Sequence, residues 1–397
     1  MLDYLAALHE RSTFPAEAPL PFPFETPGAG YAGGKCFGHW DAVHAALDAL
    51  AMGRLDHAVG QVRNLLSLQQ EDGRLPALLY YRGCTPASPP PEAAGAAFFS
   101  YRNCTYPPLW PEAVEACLDA GAELGLLSAA HAVAVRQLDW FERARAAKPA
   151  GFCYRDILDR TWESGVDEGV RFDEVQPGAR ACVDACVHVW ALYDAVVRWG
   201  RRLGDPTGEF ERKRRTLGEW IRRALWDEET GYFYDHWVLA GTGRKPGAFE
   251  GMWPVVLGIA DAHQAQRVIE EHLLNPRRFF APHPIATVAL DDPAYEPRMW
   301  RGPAWNSMTY WAAIGCLRNR RPDAARRLSE AALDRSAEVF ACTGTIWEFY
   351  DAMGGSPEAL ARKPRTPHRT PCRDYAGHNP LVALAALYGA TSRRPWN

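Results

Sequence analysis

The chain has 397 residues, 47% of them apolar and 23% charged, with a net charge of −4. That balance is ordinary for a globular protein of one large domain or two ordinary ones. It offers no basic footprint for nucleic acid or an anionic membrane, and no run approaches the ~20 apolar residues a membrane-spanning helix needs.

Taken in chain order, the first ten residues lack a basic segment followed by an apolar core, so they read as a helix of a cytoplasmic protein and not as an export signal. Gly28-Ala29-Gly30-Tyr31-Ala32-Gly33 matches the dinucleotide glycine pattern on paper. It follows a proline-rich stretch rather than a strand, so a loop at a pocket rim fits better. Trp40 and Asp41 open an amphipathic helix marked by Val43, Ala46, Leu47 and Leu50. Further helical periodicity covers residues 56–70, 110–122, 126–147, 208–225, 250–260, 262–274, 304–319, 322–337 and 380–390. Val183, Cys186, Val187 and Trp190 mark another helix. Strand-like alternation is confined to residues near 232–238. About a dozen helices with alternating short and long connections predict an all-α fold of helical hairpins arranged in a ring, with no composition shift to divide it. Residues 76–108, 148–180, 276–303 and 340–379 read as long irregular segments, and segments of that length usually carry function.

Those segments hold the chemistry. Glu163, Asp167, Asp173 and Glu174 share one segment with Trp162, Phe172 and Arg171, and Glu348 lies between Trp347 and Phe349. Two separated, aromatic-framed carboxylates suit hydrolysis of a glycosidic bond, one protonating the leaving oxygen and one activating water. The 15 Trp, 15 Tyr and 16 Phe supply faces for stacking on sugar rings. Tyr106 precedes two prolines at a helix entrance, and Trp300, Arg301 and Trp305 frame another; each could bind substrate. The ten cysteines are scattered and complete no zinc spacing, so they read as free thiols. No metal, cofactor or serine-nucleophile motif occurs, and none is expected.

Several segments together resemble the clan G inverting glycoside hydrolases, which include family 63 α-glucosidases, family 37 trehalases, and the mannosylglycerate and glucosylglycerate hydrolases. Trp162-Glu163-Ser164-Gly165-Val166-Asp167 is similar to their Glu-Ser-Gly-x-Asp segment. Met299-Trp300-Arg301-Gly302-Pro303-Ala304-Trp305 is similar to Tyr-Trp-Arg-Gly-Pro-Val-Trp, and Ile346-Trp347-Glu348-Phe349-Tyr350-Asp351 to Tyr-Glu-x-Tyr-Asp. Trp40-Asp41 matches a pair that binds the glycone, and Leu225–Asp235 a connecting segment. The matches come in family order and span roughly residues 30–390.

The resemblance implies an (α/α)6 barrel forming one catalytic domain over residues 1–397. It makes Asp167 the general acid and Glu348 the general base, about 6.5–9.5 Å apart. Trp40, Asp41, Tyr106, Glu163, Arg171, Trp300, Arg301, Trp305 and Trp347 would bind or support a small carbohydrate. The chain departs from the family at Glu168-Gly169-Val170 and at Tyr106, where relatives carry a glutamine that contacts the sugar. A glycerate aglycone would need a basic partner, for which Arg102, Arg171, Arg301, Arg369 and Arg373 are candidates. The alternatives are a sugar epimerase on the same toroid, using His39, His188, His283 or His378, and a non-catalytic carbohydrate-binding protein.

Overall fold

A computed structural model describes residues 1–84, 93–101, 103–159, 161–175, 177–364 and 368–392; Arg102 lies outside the described residues. After α1 (Leu2–Ser12), the hairpin α2 (His39–Ala51) and α3 (Leu55–Ser67) leads into α4 (Trp110–Asp119) and α5 (Leu124–Ala144). The short α6 (Asp156–Asp159) precedes α7 (Val183–Leu203), α8 (Gly208–Ala224) and α9 (His236–Ala240). Two short pieces follow, α10 (Trp253–Val256) and α11 (Ala262–Arg267). The chain ends in α12 (Asn306–Arg318), α13 (Pro322–Thr343) and α14 (Leu381–Ser392).

Helices α2, α4, α7, α10, α12 and α14 form an inner ring, closed where α14 packs on α2, while α3, α5, α8 and α13 pack outside it. This is the (α/α)6 barrel. Burial explains the division. Helix α2 buries nearly every residue from His39 to Ala49, whereas the outer α8 buries only Leu217, Gly218 and Ile221. An inner helix is covered on all sides, and an outer one keeps a solvated face.

Local chemistry sets the helix ends. Gly204 (φ 80°) terminates α7 and Gly344 (φ 66°) terminates α13, both in the left-handed conformation that glycine adopts freely. Helix α13 therefore runs to Thr343, beyond the 337 that periodicity suggests. The helix expected over 262–274 divides into α11, opened by a capping box between Asp261 and Gln264, and a π-helical turn at Val268–Leu273. In the 232–238 region only Tyr232–Phe233 forms a strand, paired with Trp226–Asp227, before α9 begins. A three-stranded antiparallel sheet (Cys36–Gly38, Leu78–Tyr81, Phe98–Phe99) goes beyond the strand content expected from the sequence. Its central strand, Leu78-Leu79-Tyr80-Tyr81, is buried throughout and so lacks alternation. The sheet delivers the chain to the start of α2.

Candidate active site

The N-terminal ends of α2, α12 and α14 converge on a cavity of about 120 Å³. Its walls come from residues 31–41, 78–80, 162–167, 299–305, 348, 362–363 and 375–378. The volume is well below the roughly 300–1,000 Å³ of drug-sized sites, so it suits a small ligand.

Asp167 and Glu348 both line this cavity, as do Trp40, Asp41, Trp300 and Trp305. The Trp300 and Trp305 rings stack at 3.8 Å with an interplanar angle of 4°. His378 stands edge-on to Trp40, Trp300 and Trp305 at 5.0, 5.4 and 4.8 Å. Burial keeps that imidazole neutral, its pKa well below the ordinary value, and Ser307 Oγ lies 2.8 Å from its Nδ1. Asp41 accepts a 2.8 Å hydrogen bond from the Tyr375 hydroxyl. Burial pushes its carboxyl up to about 7, with the negative charge of Glu348 acting in the same direction.

Each candidate catalytic carboxylate has a cation. Glu348 is almost wholly buried and accepts from Arg362 Nε at 2.9 and 2.7 Å and from the Cys372 amide at 3.1 Å. Asp167 forms a close ion pair with Lys363. Arg362 and Lys363 both line the cavity, and sequence reasoning missed both; adjacent cations in a long irregular segment were the available signal. Arg301, Arg369 and Arg373 do not line the cavity, nor does Arg171, so among the described residues the arginine and lysine facing it are different from those expected.

The remaining motif residues build the frame. Glu163 is fully buried, gripped by Arg145 at 2.7 Å through two nitrogens and by the Thr105 amide at 2.8 Å. Arg171 lies in a buried cluster, with Nη1 2.7 Å from Asp235, Nε 3.0 Å from Glu250, and a close contact to Asp184. Burial raises the Asp235 carboxyl to about 6 and the Glu250 carboxyl to about 7. The Cys182, Asp184 and Asp235 ligand atoms lie close enough together for a metal, but Arg171 already pairs with both carboxylates.

Arg301 forks onto Asp173 at 3.0 and 2.7 Å, bonds the Glu168 carbonyl at 3.0 Å and pairs with Glu296 at 2.7 Å. It clamps the Asp167 segment from behind. Glu168, one of the family departures, takes φ 59° and pairs with Arg298. Trp347 lies outside the cavity lining, donating to Thr343 Oγ1 at 3.1 Å beneath the Arg373 guanidinium. Tyr106 is fully buried behind His39, with ring centroids 5.7 Å apart, and does not line the cavity.

Of the other histidines, His188 bonds Tyr154 and His283 bonds Asn306, both away from the cavity. Gly28 and Gly30 pack backbone on backbone: a Cβ at Gly28 would fall 2.2 Å from the Asp374 carbonyl. This contact holds Tyr31 at the cavity wall. A larger cleft of about 590 Å³ lies farther along the inner helices. Its Glu112–Arg318 and Glu115–Arg198 pairs satisfy one another, and no motif residue reaches it.

Residues 38–368 match the family of mannosylglycerate hydrolase MGH1-like glycoside hydrolase domains. The chain belongs to that family and is a glycoside hydrolase. Its fold is similar to the mannosylglycerate hydrolase of Thermus thermophilus crystallised with glucose (TM-score 0.73, 19% identity, 98% of this chain and 99% of that one). Neutral trehalase from Saccharomyces cerevisiae is also similar, with TM-score 0.69 and 15% identity over 99% of this chain and 80% of that one. In sequence, 157 residues are 26% identical to the cytosolic neutral trehalase of Kluyveromyces lactis, covering 38% of this chain and only 20% of that enzyme.

Proposed function

We propose that the chain is one catalytic domain that hydrolyses a small α-glucoside or α-mannoside with inversion. Asp167 gives its proton to the glycosidic oxygen as the bond to the anomeric carbon breaks. Glu348 takes a proton from the water that attacks the opposite face, so the products are a free sugar of inverted configuration and the aglycone alcohol. The observation that carries this reading is the meeting of Asp167 and Glu348 in one small cavity walled by tryptophans. Asp41 and the Trp300–Trp305 stack would hold the glycone.

Lys363 pairs with Asp167 where the aglycone leaves, and a glycerate carboxylate that took over this ammonium would release Asp167 to carry the proton it donates, which favours a glycosylglycerate over a neutral disaccharide. A cytoplasmic setting is supported by ten free cysteines and by similarity to a trehalase described as cytosolic. Among the described residues, no helix is long and apolar enough to cross a membrane.

The test is a panel of mannosylglycerate, glucosylglycerate, trehalose, kojibiose and nigerose, with proton NMR resolving the first-formed anomer. The β anomer is expected from a glycosylglycerate. Asp167→Asn and Glu348→Gln should each lower kcat by about 10²–10⁴-fold. The unfolding midpoint should stay nearly unchanged in Asp167→Asn and fall in Glu348→Gln, which leaves Arg362 buried without its carboxylate. First release of the α anomer, or full activity in either variant, would overturn the assignment.

A further inference from the structure

His39 is the first residue of α2 and takes φ 58°, directly after Gly38 at φ 121°. A side-chain-bearing residue rarely adopts this conformation, and such outliers persist only where the surroundings impose them. Here the surroundings fix the ring. Trp40, Tyr106 and Trp162 lie 5.4, 5.7 and 6.4 Å from it, centroid to centroid. Gly165 leaves the space it occupies, since a Cβ there would fall 2.8 Å from His39 Cε1.

A ring held so firmly still lacks hydrogen bonds. Nδ1 is buried with no partner, and the Tyr106 hydroxyl behind it is also buried with none. The residue is 5% exposed and reaches the cavity wall. Nδ1 is closed off from the cavity, so a ligand can reach the ring only through its other nitrogen, Nε2, on the side that lines the cavity. Burial holds the imidazole neutral, its pKa lowered to about 3 despite the nearby Asp167 charge. A neutral imidazole offers one donor and one acceptor, which suits a hydroxyl better than an anion.

We propose that His39 is a specificity-determining residue: its cavity-facing nitrogen hydrogen-bonds one hydroxyl of the sugar ring, on the wall it shares with Asp167, and Tyr106 backs the imidazole. The proposal rests on the reading of this cavity as the glycone site of a hydrolase. It adds the residue that reads the sugar, which lies outside the sequence motifs' carboxylates and tryptophans.

The test measures equilibrium binding of glucose, mannose and their monodeoxy analogues, by NMR titration, to the wild type, His39→Phe and His39→Gln. The wild type should lose about tenfold in affinity at one deoxy position. His39→Phe should bind the parent sugar about tenfold more weakly and no longer distinguish that one analogue. His39→Gln should recover part of the discrimination. If His39→Phe fails to fold, the ¹⁵N imidazole shifts of the wild type serve instead: they should move with the parent sugar and not with the discriminated analogue.

Unchanged discrimination in His39→Phe, imidazole shifts indifferent to the sugar, or no binding of any sugar overturns the proposal. Binding with His39-dependent discrimination but no cleavage of any glycoside would instead overturn the hydrolase reading and leave His39 as the sugar reader.

Discussion

Asp167 sits on a segment stiffened from behind by ion pairs that are partly open to solvent, whereas Glu348 sits on an extended stretch sealed on every side. Arg301, which clamps the Asp167 segment, pairs with Asp173 and Glu296, whose side chains are 42% and 43% exposed. Arg362 and Glu348 have side chains only 6% and 2% exposed. Backbone bridges Trp347–Arg373 and Ala304–Tyr350 tie the Glu348 strand down on both sides. The inverting mechanism proposed above would need a fixed base to aim water and an acid that follows the departing oxygen, and the two supports differ in that sense.

The sharpest way to break the contrast is Arg362→Leu. It leaves Glu348 buried and without its cation, so a loss of about 3–5 kcal/mol is expected in denaturant unfolding, with activity abolished. Arg301→Leu should cost only about 1 kcal/mol, because its partners are solvent-screened. Its kcat should nonetheless fall by roughly 10–100-fold as the Asp167 segment loses its alignment. An equal stability cost for the two arginines would remove the distinction.

The smallest effect is a pH dependence centred on Asp41. Its carboxyl is raised from 3.8 to about 7 by burial, so the carboxylate proposed to accept sugar hydroxyls forms only as pH rises through about 7. Sugar binding should tighten across that range. The stability contributed by the raised carboxyl runs the other way, full below about 4 and lost as pH approaches 7. Asp41→Asn should flatten both trends in paired titrations of affinity and melting temperature.

Most of the helical frame was legible because α2, α4, α7 and the outer helices follow the 3.6-residue period, whereas α12 and α14 are apolar nearly all round. The failures have local causes. The region from 249 to 274 breaks into 3-10, α and π pieces around Pro254 and Gly258 (φ 79°), which periodicity alone does not register. The buried strand at Leu78–Tyr81 carries no alternation to detect. In the cavity, the motifs led to Asp167, Glu348 and the tryptophans because carboxylates set among aromatic rings stand out from helical periodicity. They also led to Glu163, Arg171 and Arg301, which hold the loop without lining the cavity. A one-dimensional motif cannot separate a residue that faces a ligand from one that braces its neighbour. Arg362 and Lys363 escaped notice because their importance lies in partners 14 and 196 positions away (362 − 348 and 363 − 167).

Residues drawn from 31 to 378 meet in one cavity, and the Tyr375–Asp41 hydrogen bond spans 334 positions. The cavity therefore assembles only after the ring has closed, when the most distant loop-closure entropies have been overcome. During refolding, helical signal should return early and sugar binding last. Ligand affinity is a more sensitive gauge of complete folding here than helix content.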